Sequence, residues 1–315
     1  MKLNQFRYLV AIAEHGSIAK AARALYTSQP SISQSMKELE EELGFSILVR
    51  DRIGTTFTPQ GQRVLEVAQN IMREINKLDK LTVKSGEELW GNLAISGTPY
   101  FSNSLLLETI VALRKSQPKL TIRLEETSSQ SVLDLLHDGV INLGVILQCN
   151  LDEIFFKIKM QDYGLRATPL FEDEMVFVAH KDHPLAKQGT ASMNEILSYP
   201  VIQYKSDINE MTLQVFRQYR KDLDLLYIDD FNSLWRLPLI GPYLFLSPSL
   251  ALSARNTRDL CSVRISDLDY HGTVSWVHSA EPLSEAEHAV VAMLQEVSAL
   301  LVDSRDERLP TTTLY

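Results

Sequence analysis

Apolar side chains recur at helical spacing through the first 44 residues. Leu3, Phe6, Leu9, Val10 and Ala13 form one stripe, closed by His15-Gly16. Ile18, Ala21, Ala22 and Leu25 form a second, and Ile32, Met36, Leu39 and Leu43 a third, ended by Gly44. This pattern predicts three helices. Ser17 is placed to cap the second and Ser28 the third, where Pro30 falls in the first turn and its missing N–H costs little. The stretch from Ile47 to Gly61 follows, two short apolar segments around a basic, Gly-containing turn that holds Arg50 and Arg52. That arrangement predicts a β-hairpin.

The outer face of the third helix carries the chemistry. Ser28, Gln29, Pro30, Ser31, Ser33, Gln34 and Lys37 lie at its N-terminal end. Short polar side chains there suit base edges and phosphates, because the N-terminal end of a recognition helix enters the major groove. Arg50, Arg52 and Thr55 in the hairpin are placed to reach the DNA backbone or minor groove as a wing. The plainer alternative is a helix pair with polar residues facing water.

Residues 62–85 contain no Gly or Pro, and Val64, Ala68, Ile71, Ile75 and Leu78 step by four, three, four and three. This is a heptad seam, with Leu65, Met72 and Leu81 beside it, and predicts a dimerisation helix. From Trp90 the pattern turns to strand–helix alternation. Strands at Leu93–Ser96, Leu120–Glu125 and Leu143–Leu147 alternate with helices at Asn103–Lys115 and Gln130–Asp138, the βαβαβ order of a doubly wound sheet. Further strands are predicted at Met175–Ala179, Val201–Gln203 and Leu244–Leu246, helices near Ser192–Leu197 and Thr212–Tyr219, and a long helix at Leu283–Val302.

With these residues in view, the first 61 positions resemble the winged helix-turn-helix of LysR-type transcriptional regulators. The resemblance runs through Phe6, Gly16-Ser17, Ala21-Ala22, Leu25, Ser28 to Gln34, Leu39-Glu40, Leu43-Gly44, Leu48, Arg50 and Thr58-Pro59-Gln60-Gly61. Met36 and Val49 depart from the family's usual branched aliphatic and Phe but remain apolar. The resemblance implies a fold in three parts: an N-terminal all-α winged helix-turn-helix over 1–61, a long linker and dimerisation helix over 62–88, and an α/β two-lobed effector domain over 89–302, like periplasmic binding proteins. Lobe one would comprise 90–163 and 267–302, and lobe two 164–266, with crossovers near Gln161–Leu165 and Ser262–Asp267. Residues 303–315 form a polar tail. His180 to Ala186 resembles a family turn at the entry of lobe two. Leu237 to Tyr243, with Pro238 and Pro242, departs from a Gly-rich approach and stiffens that loop. The partners implied are double-stranded DNA with paired half-sites, a small-molecule effector, further copies of the chain as dimer and tetramer, and RNA polymerase.

Composition narrows the rest. Of 315 residues, 45% are hydrophobic and 23% charged, as in ordinary globular domains, and the length predicts two or three of them. The formal charge is −9, yet the first 60 residues carry seven basic and six acidic side chains, so the negative charge belongs to the remainder. The two cysteines, Cys149 and Cys261, lack a metal-ligand spacing and predict a reducing compartment. No signal peptide and no run of eighteen apolar residues occurs, which predicts a cytoplasmic protein without a membrane partner.

Ligands of open α/β sheets bind beyond the C-terminal ends of strands, near helix N-termini. The loops Ser96-Gly97-Thr98-Pro99-Tyr100, Thr127-Ser128-Ser129-Gln130 and Tyr204-Lys205-Ser206-Asp207 meet that description. Ser96, Thr98, Pro99, Ser128, Ser129, Tyr204 and Lys205 are therefore the candidate effector contacts, against the alternative that each hydroxyl caps the next helix. Helix N-termini and Lys205 favour an anionic ligand. No enzyme motif, metal site or cofactor motif emerges: His180 and His183 flank a turn before Pro184, and no Walker loop, Gly-x-Ser-x-Gly or Cys-x-x-Cys occurs. Two functions stand: a ligand-responsive regulator, or a DNA-binding protein whose C-terminal domain only oligomerises.

Overall fold

The computed structural model describes residues 1–50, 54–79, 81–86, 88–204, 210–255 and 258–308. They fall into two compact units, residues 1–79 with 138–140 and residues 80–137 with 141–315.

In the first unit, α1 (Leu3–His15), α2 (Ile18–Ala24) and α3 (Gln29–Leu43) pack around Leu9, Ile12, Ile18, Ala21, Ile32, Met36 and Leu39. Their ends are set as the sequence predicts. The hydroxyl of Ser17 accepts from the Lys20 N–H and that of Ser28 from the Ser31 N–H, each at 3.2 Å. Gly16 and Gly44 take the left-handed conformation that closes α1 and α3. Leu3 is exposed instead of joining the stripe, and Gln5 is buried, its amide donating to the Ser35 carbonyl at 3.3 Å. Strands β1 (Leu48–Arg50) and β2 (Thr55–Phe57) form the antiparallel hairpin. Glu40 of α3 anchors its approach, accepting from the Ile47 and Leu48 N–H groups at 2.7 and 3.0 Å. Thr58 then starts α4 (Pro59–Asp79): its hydroxyl donates to the Ser46 carbonyl and accepts from the Gly61 N–H. A Cβ at Gly61 would lie 2.1 Å from the Ile47 carbonyl oxygen, so only glycine admits this close crossing.

The long helix differs from the sequence expectation at both ends and in its inner face. It runs from Pro59 to Asp79, and residues 82–85 form a strand, β3 (Thr82–Ser85), hairpinned onto β4 (Glu88–Gly97). The β-branched pair Thr82-Val83 and the turn at Gly86 favour that hairpin over another helical turn. Ala68 is fully buried in the core of the first unit, with Leu65 beside it and Val64 packed against it, so these seam positions serve their own domain. The apolar residues left outward are Val67, Ile71, Ile75 and Leu78, of which Val67 and Leu78 are 55% and 66% exposed.

In the second unit, β4, β5 (Leu120–Glu126) and β6 (Leu143–Cys149) are parallel in the order β5-β4-β6, as the βαβαβ reading requires. A helix from Pro99 to Ser116, comprising α5 (Pro99–Phe101), a π-turn over Ser102–Leu106 and α6 (Leu107–Ser116), connects β4 to β5. Helix α7 (Ser129–His137) connects β5 to β6, and α8 (Glu153–Tyr163) follows. The next strand, β7 (Leu165–His180), corrects the expected lobe boundary. Its first ten residues pair with β13 (His271–Ser279) in lobe one, and Met175–His180 pair with β11 (Leu244–Pro248) and β12 (Leu260–Ile265) in lobe two. The chain therefore crosses near Glu174, not at Gln161–Leu165, because backbone pairing commits residues 165–174 to lobe one. It returns through residues 266–270, as the second expected crossover has it in part.

Lobe two opens with α9 (Pro184–Gln188), β8 (Thr190–Ala191) and α10 (Met193–Ile196). There β9 (Val201–Tyr204), with α11 (Glu210–Tyr219) after it, lies between β10 (Leu225–Ile228) and β11, all parallel. Helices α12 (Phe231–Arg236) and α13 (Ser249–Ala254) flank β11 in the chain. The last helix, α14, runs from Glu285 to Arg308 and so takes in six residues expected in the tail; residues 309–315 lie outside the described ones. The cores are separate: Phe101, Leu105, Leu106, Trp276 and Val290 lead in lobe one, Phe177, Met193, Phe216 and Val263 in lobe two.

Candidate DNA-reading face and effector cleft

The residues expected to read DNA lie mostly exposed along one face. Ser28, Gln29, Pro30, Ser31, Gln34 and Lys37 are exposed at the front of α3, and Ser33 is half-buried. Several are pre-set by local bonds: Ser28 Oγ donates to Ser31 Oγ at 3.0 Å, Gln34 donates to Glu38 at 3.3 Å, and Lys37 pairs with Glu41 at 3.6 Å. Thr55 opens β2, half-buried, and its N–H donates to the Gly16 carbonyl. The backbone of Arg50 ends β1, while Arg52 lies outside the described residues.

The second unit holds a cleft of about 110 Å³ between its lobes. Lobe one contributes Thr98 and Tyr100 after β4, Ser128 to Gln130 at the start of α7, Cys149 and Asp152 after β6, and Phe156. Lobe two contributes Ile202, Gln203 and Tyr204 of β9, Thr212, Leu234 and Leu246, and the connecting segments contribute Met175 and Tyr270. Of the seven candidate contacts, Thr98, Ser128, Ser129 and Tyr204 line it; Ser96 and Pro99 are buried beside it, and Lys205 lies outside the described residues.

Hydrogen bonding separates these residues. Ser96 Oγ donates to the Glu125 carbonyl at 2.8 Å, tying β4 to β5. Ser128 caps α7, accepting from the Ser131 N–H at 3.2 Å and donating to its hydroxyl at 3.0 Å. Ser129 Oγ bridges to the Leu147 N–H and carbonyl, both at 3.0 Å. These three hydroxyls are committed to the protein. Thr98 Oγ1 is not: the residue is 2% exposed and its hydroxyl has no partner among the described residues. Thr98 stands at the head of the Pro99 helix but makes no side-chain cap there. A buried hydroxyl without a partner is costly.

The scaffold around it is braced. Lys159 of α8 binds the Asp134 carboxylate of α7 at 2.9 Å and the Gln130 carbonyl at 3.3 Å, and Tyr163 donates to Asp134 at 2.8 Å. Tyr100 crosses the cleft, its hydroxyl donating to the Leu246 carbonyl at 3.2 Å and its ring edge-on to Phe231 at 5.1 Å. On the opposite wall Tyr270 meets the Thr212 hydroxyl at 3.2 Å. Burial, with the Cys149 thiol beside it, holds the Tyr270 phenol well above its ordinary pKa, so it stays protonated. Asp152 accepts the Cys149 N–H at 3.0 Å. Cys149, Asp152, Thr212 and Tyr270 were not legible as site residues; the only local signal was Cys149 closing an apolar strand.

The comparisons agree with this anatomy. Residues 3–62 match the bacterial regulatory helix-turn-helix protein of the lysR family, and residues 86–299 match the LysR substrate binding domain. Among relatives, a hydrogen peroxide-inducible genes activator of Dickeya chrysanthemi is 27% identical over 262 residues, 82% of this chain and 83% of that one. The DNA-binding transcriptional dual regulator OxyR of Escherichia coli K12 is 26% identical over the same shares. The crystal structure of full-length BenM superposes with a TM-score of 0.54 at 21% identity, covering 95% of this chain and 97% of that one, a likeness of fold. The chain belongs to the LysR family of DNA-binding transcriptional regulators, which are not enzymes.

Proposed function

We propose that this regulator responds to a small metabolite with one anionic group, held in the cleft between the lobes. The observation that carries the reading is the buried, unpartnered Thr98 hydroxyl. The start of α7 adds N–H groups without helical partners and the positive end of a helix dipole, both favouring an anion. The Asp152 carboxylate on the same cleft disfavours a second negative charge. Lobe closure on such a ligand shifts a population between two states in proportion to its differential affinity for them. Calorimetry of the full chain against monocarboxylates, dicarboxylates and amines tests it: preference for amines, or no binding by any anion, would remove the reading.

The names of the peroxide-related relatives invite a thiol-based response instead. Reactive thiols sit in electropositive, partly exposed surroundings. Cys149 is buried beside Asp152 and Tyr270, and no lysine or arginine occurs among the described lining residues. Cys261 is partly exposed near Lys181 but lies outside the cleft, so within the cleft the metabolite reading has the better support.

Self-association fits two surfaces. The outward residues Val67, Ile71, Ile75 and Leu78 of α4 suit a dimer seam, as proposed for Ile71, Ile75 and Leu78 from the heptad. On the second unit, Ile154 and Ile158 of α8 are 71% and 55% exposed, and Leu107 and Val111 of α6 about half. Such apolar faces suit a second copy, giving tetramers that span paired half-sites. No helix among the described residues is long and apolar enough to cross a membrane. Contact with RNA polymerase in the cytoplasm completes the reading, and transcription from a purified template with and without the protein tests it.

A further inference from the structure

Tyr26 sits in the turn between α2 and α3 with two properties that seldom coincide. It is 98% exposed, and its φ is +50°, the only left-handed conformation of a non-glycine residue among the described residues. A large aromatic side chain gains nothing from water there, and the left-handed region disfavours any residue with a Cβ outside Asn and Asp. The turn is held by backbone bonds, Tyr26 N–H to the Arg23 carbonyl at 3.2 Å and Thr27 N–H to the Ala22 carbonyl at 2.9 Å. Neither needs a tyrosine. Strain of this kind at an exposed site points to a partner met outside the folded domain.

The surroundings identify that partner. Lys20 and Arg23 are exposed on α2, three residues apart, and Tyr26 follows after three more. Neither cation makes an ion pair among the described residues, and Ser28 begins the DNA-reading helix two residues later. We infer that Tyr26 is a DNA-backbone contact: its hydroxyl donates to a phosphate oxygen bordering the major groove, its ring covers the adjoining sugar, and Lys20 and Arg23 neutralise neighbouring phosphates. This rests on the family's DNA binding and assigns Tyr26 a positioning role, one that fixes how deeply α3 enters the groove without reading sequence.

The test uses the full chain and fluorescence anisotropy on two labelled duplexes of equal length. One is selected from a random library by the wild-type protein; the other is its scrambled counterpart. Tyr26→Phe should weaken both by about tenfold, the value of one hydrogen bond to a charged group, with the salt dependence unchanged because no counterion is released. Arg23→Ala should instead flatten the salt slope, by about 0.9. Tyr26→Asn should lose at least as much affinity as Tyr26→Phe while melting about 3 °C higher, since Asn tolerates the left-handed turn. Binding within twofold of wild type by both Tyr26 variants overturns the inference. So does a loss confined to the selected duplex, which would make Tyr26 a base reader, or a lower melting temperature of Tyr26→Asn, which would make it structural. Gln29→Ala, run beside them, tests the recognition helix separately, so that reading stands or falls alone.

Discussion

Replacing Thr98 by Val should stabilise the unliganded protein and disable its response to ligand, two effects of opposite sign from one isosteric change. Thr98 has extended backbone angles, φ −68° and ψ 147°, that suit a β-branched residue, and its hydroxyl caps nothing. Valine therefore keeps the shape and removes only an orphaned polar atom. Leaving such a group buried costs about 1–3 kcal/mol. A domain of this size gains about 2–4 °C in Tm per kcal/mol, so the apo Tm should rise by roughly 2–12 °C. The ligand meanwhile loses a hydrogen bond to its charged group, about 1.5–3 kcal/mol, or some 10- to 150-fold in Kd. At a concentration 100 times the wild-type Kd, ligand stabilises wild type by about 2.7 kcal/mol; a 100-fold weaker variant would gain about 0.4 kcal/mol. Differential scanning fluorimetry reads both numbers, using the anion that calorimetry identifies. An apo Tm that stays level or falls would show the hydroxyl to be satisfied. An unchanged ligand shift would show that the anion binds elsewhere.

Gly61→Ala should cost about 3 kcal/mol or more and abolish DNA binding, since its Cβ would fall 2.1 Å from backbone at Ile47; thermal circular dichroism of the variant measures it. Ile71→Glu should convert dimers to monomers in sedimentation velocity without unfolding the first unit, because Ile71 is not among the residues of that unit's core; an unaltered dimer would refute the α4 seam. Stability should decline on acidification through about pH 6.5. Burial lowers the pKa of His183 and His278, so the folded state prefers them neutral while the unfolded chain takes up protons. The loss begins as pH falls through the unfolded value and ends at the lower folded one. His278→Phe, which keeps the stack on Trp276, should flatten urea-denaturation stability between pH 7.5 and 5.5.

What could be read from the sequence was what local signals determine. Ser17, Ser28, Gly16 and Gly44 mark helix ends by bonds made within four residues, and each stands where the pattern puts it. The strand at Thr82–Ser85 was missed because the apolar spacing continues through Leu81, and periodicity does not register that β4 offers a pairing edge. The same blindness hid the crossing inside β7: nothing in Leu165–His180 distinguishes residues that pair with β13 from those that pair with β11 and β12. The heptad spacing spans positions of two kinds, since Ala68 and Val64 pack in the first unit's own core. Spacing alone cannot say that Ala68 faces α1 and its neighbours rather than a second chain.

The cleft shows the limit most directly. Its loops were found from their place after parallel strands, yet the sequence does not tell which of their hydroxyls is already bonded within the protein. Structure divides them by partner. Ser96 joins β4 to β5, Ser128 closes the first turn of α7, and Ser129 fastens α7 to β6. Those bonds fix the loop that carries Thr98 and the start of α7, and Lys159 with Tyr163 braces α7 further. A binding group held this way loses little freedom when a ligand arrives, so more of the contact energy appears as affinity. On the proposed reading the three serine hydroxyls brace the site, and the hydroxyl left unsatisfied by that framework, that of Thr98, is the one that meets the ligand.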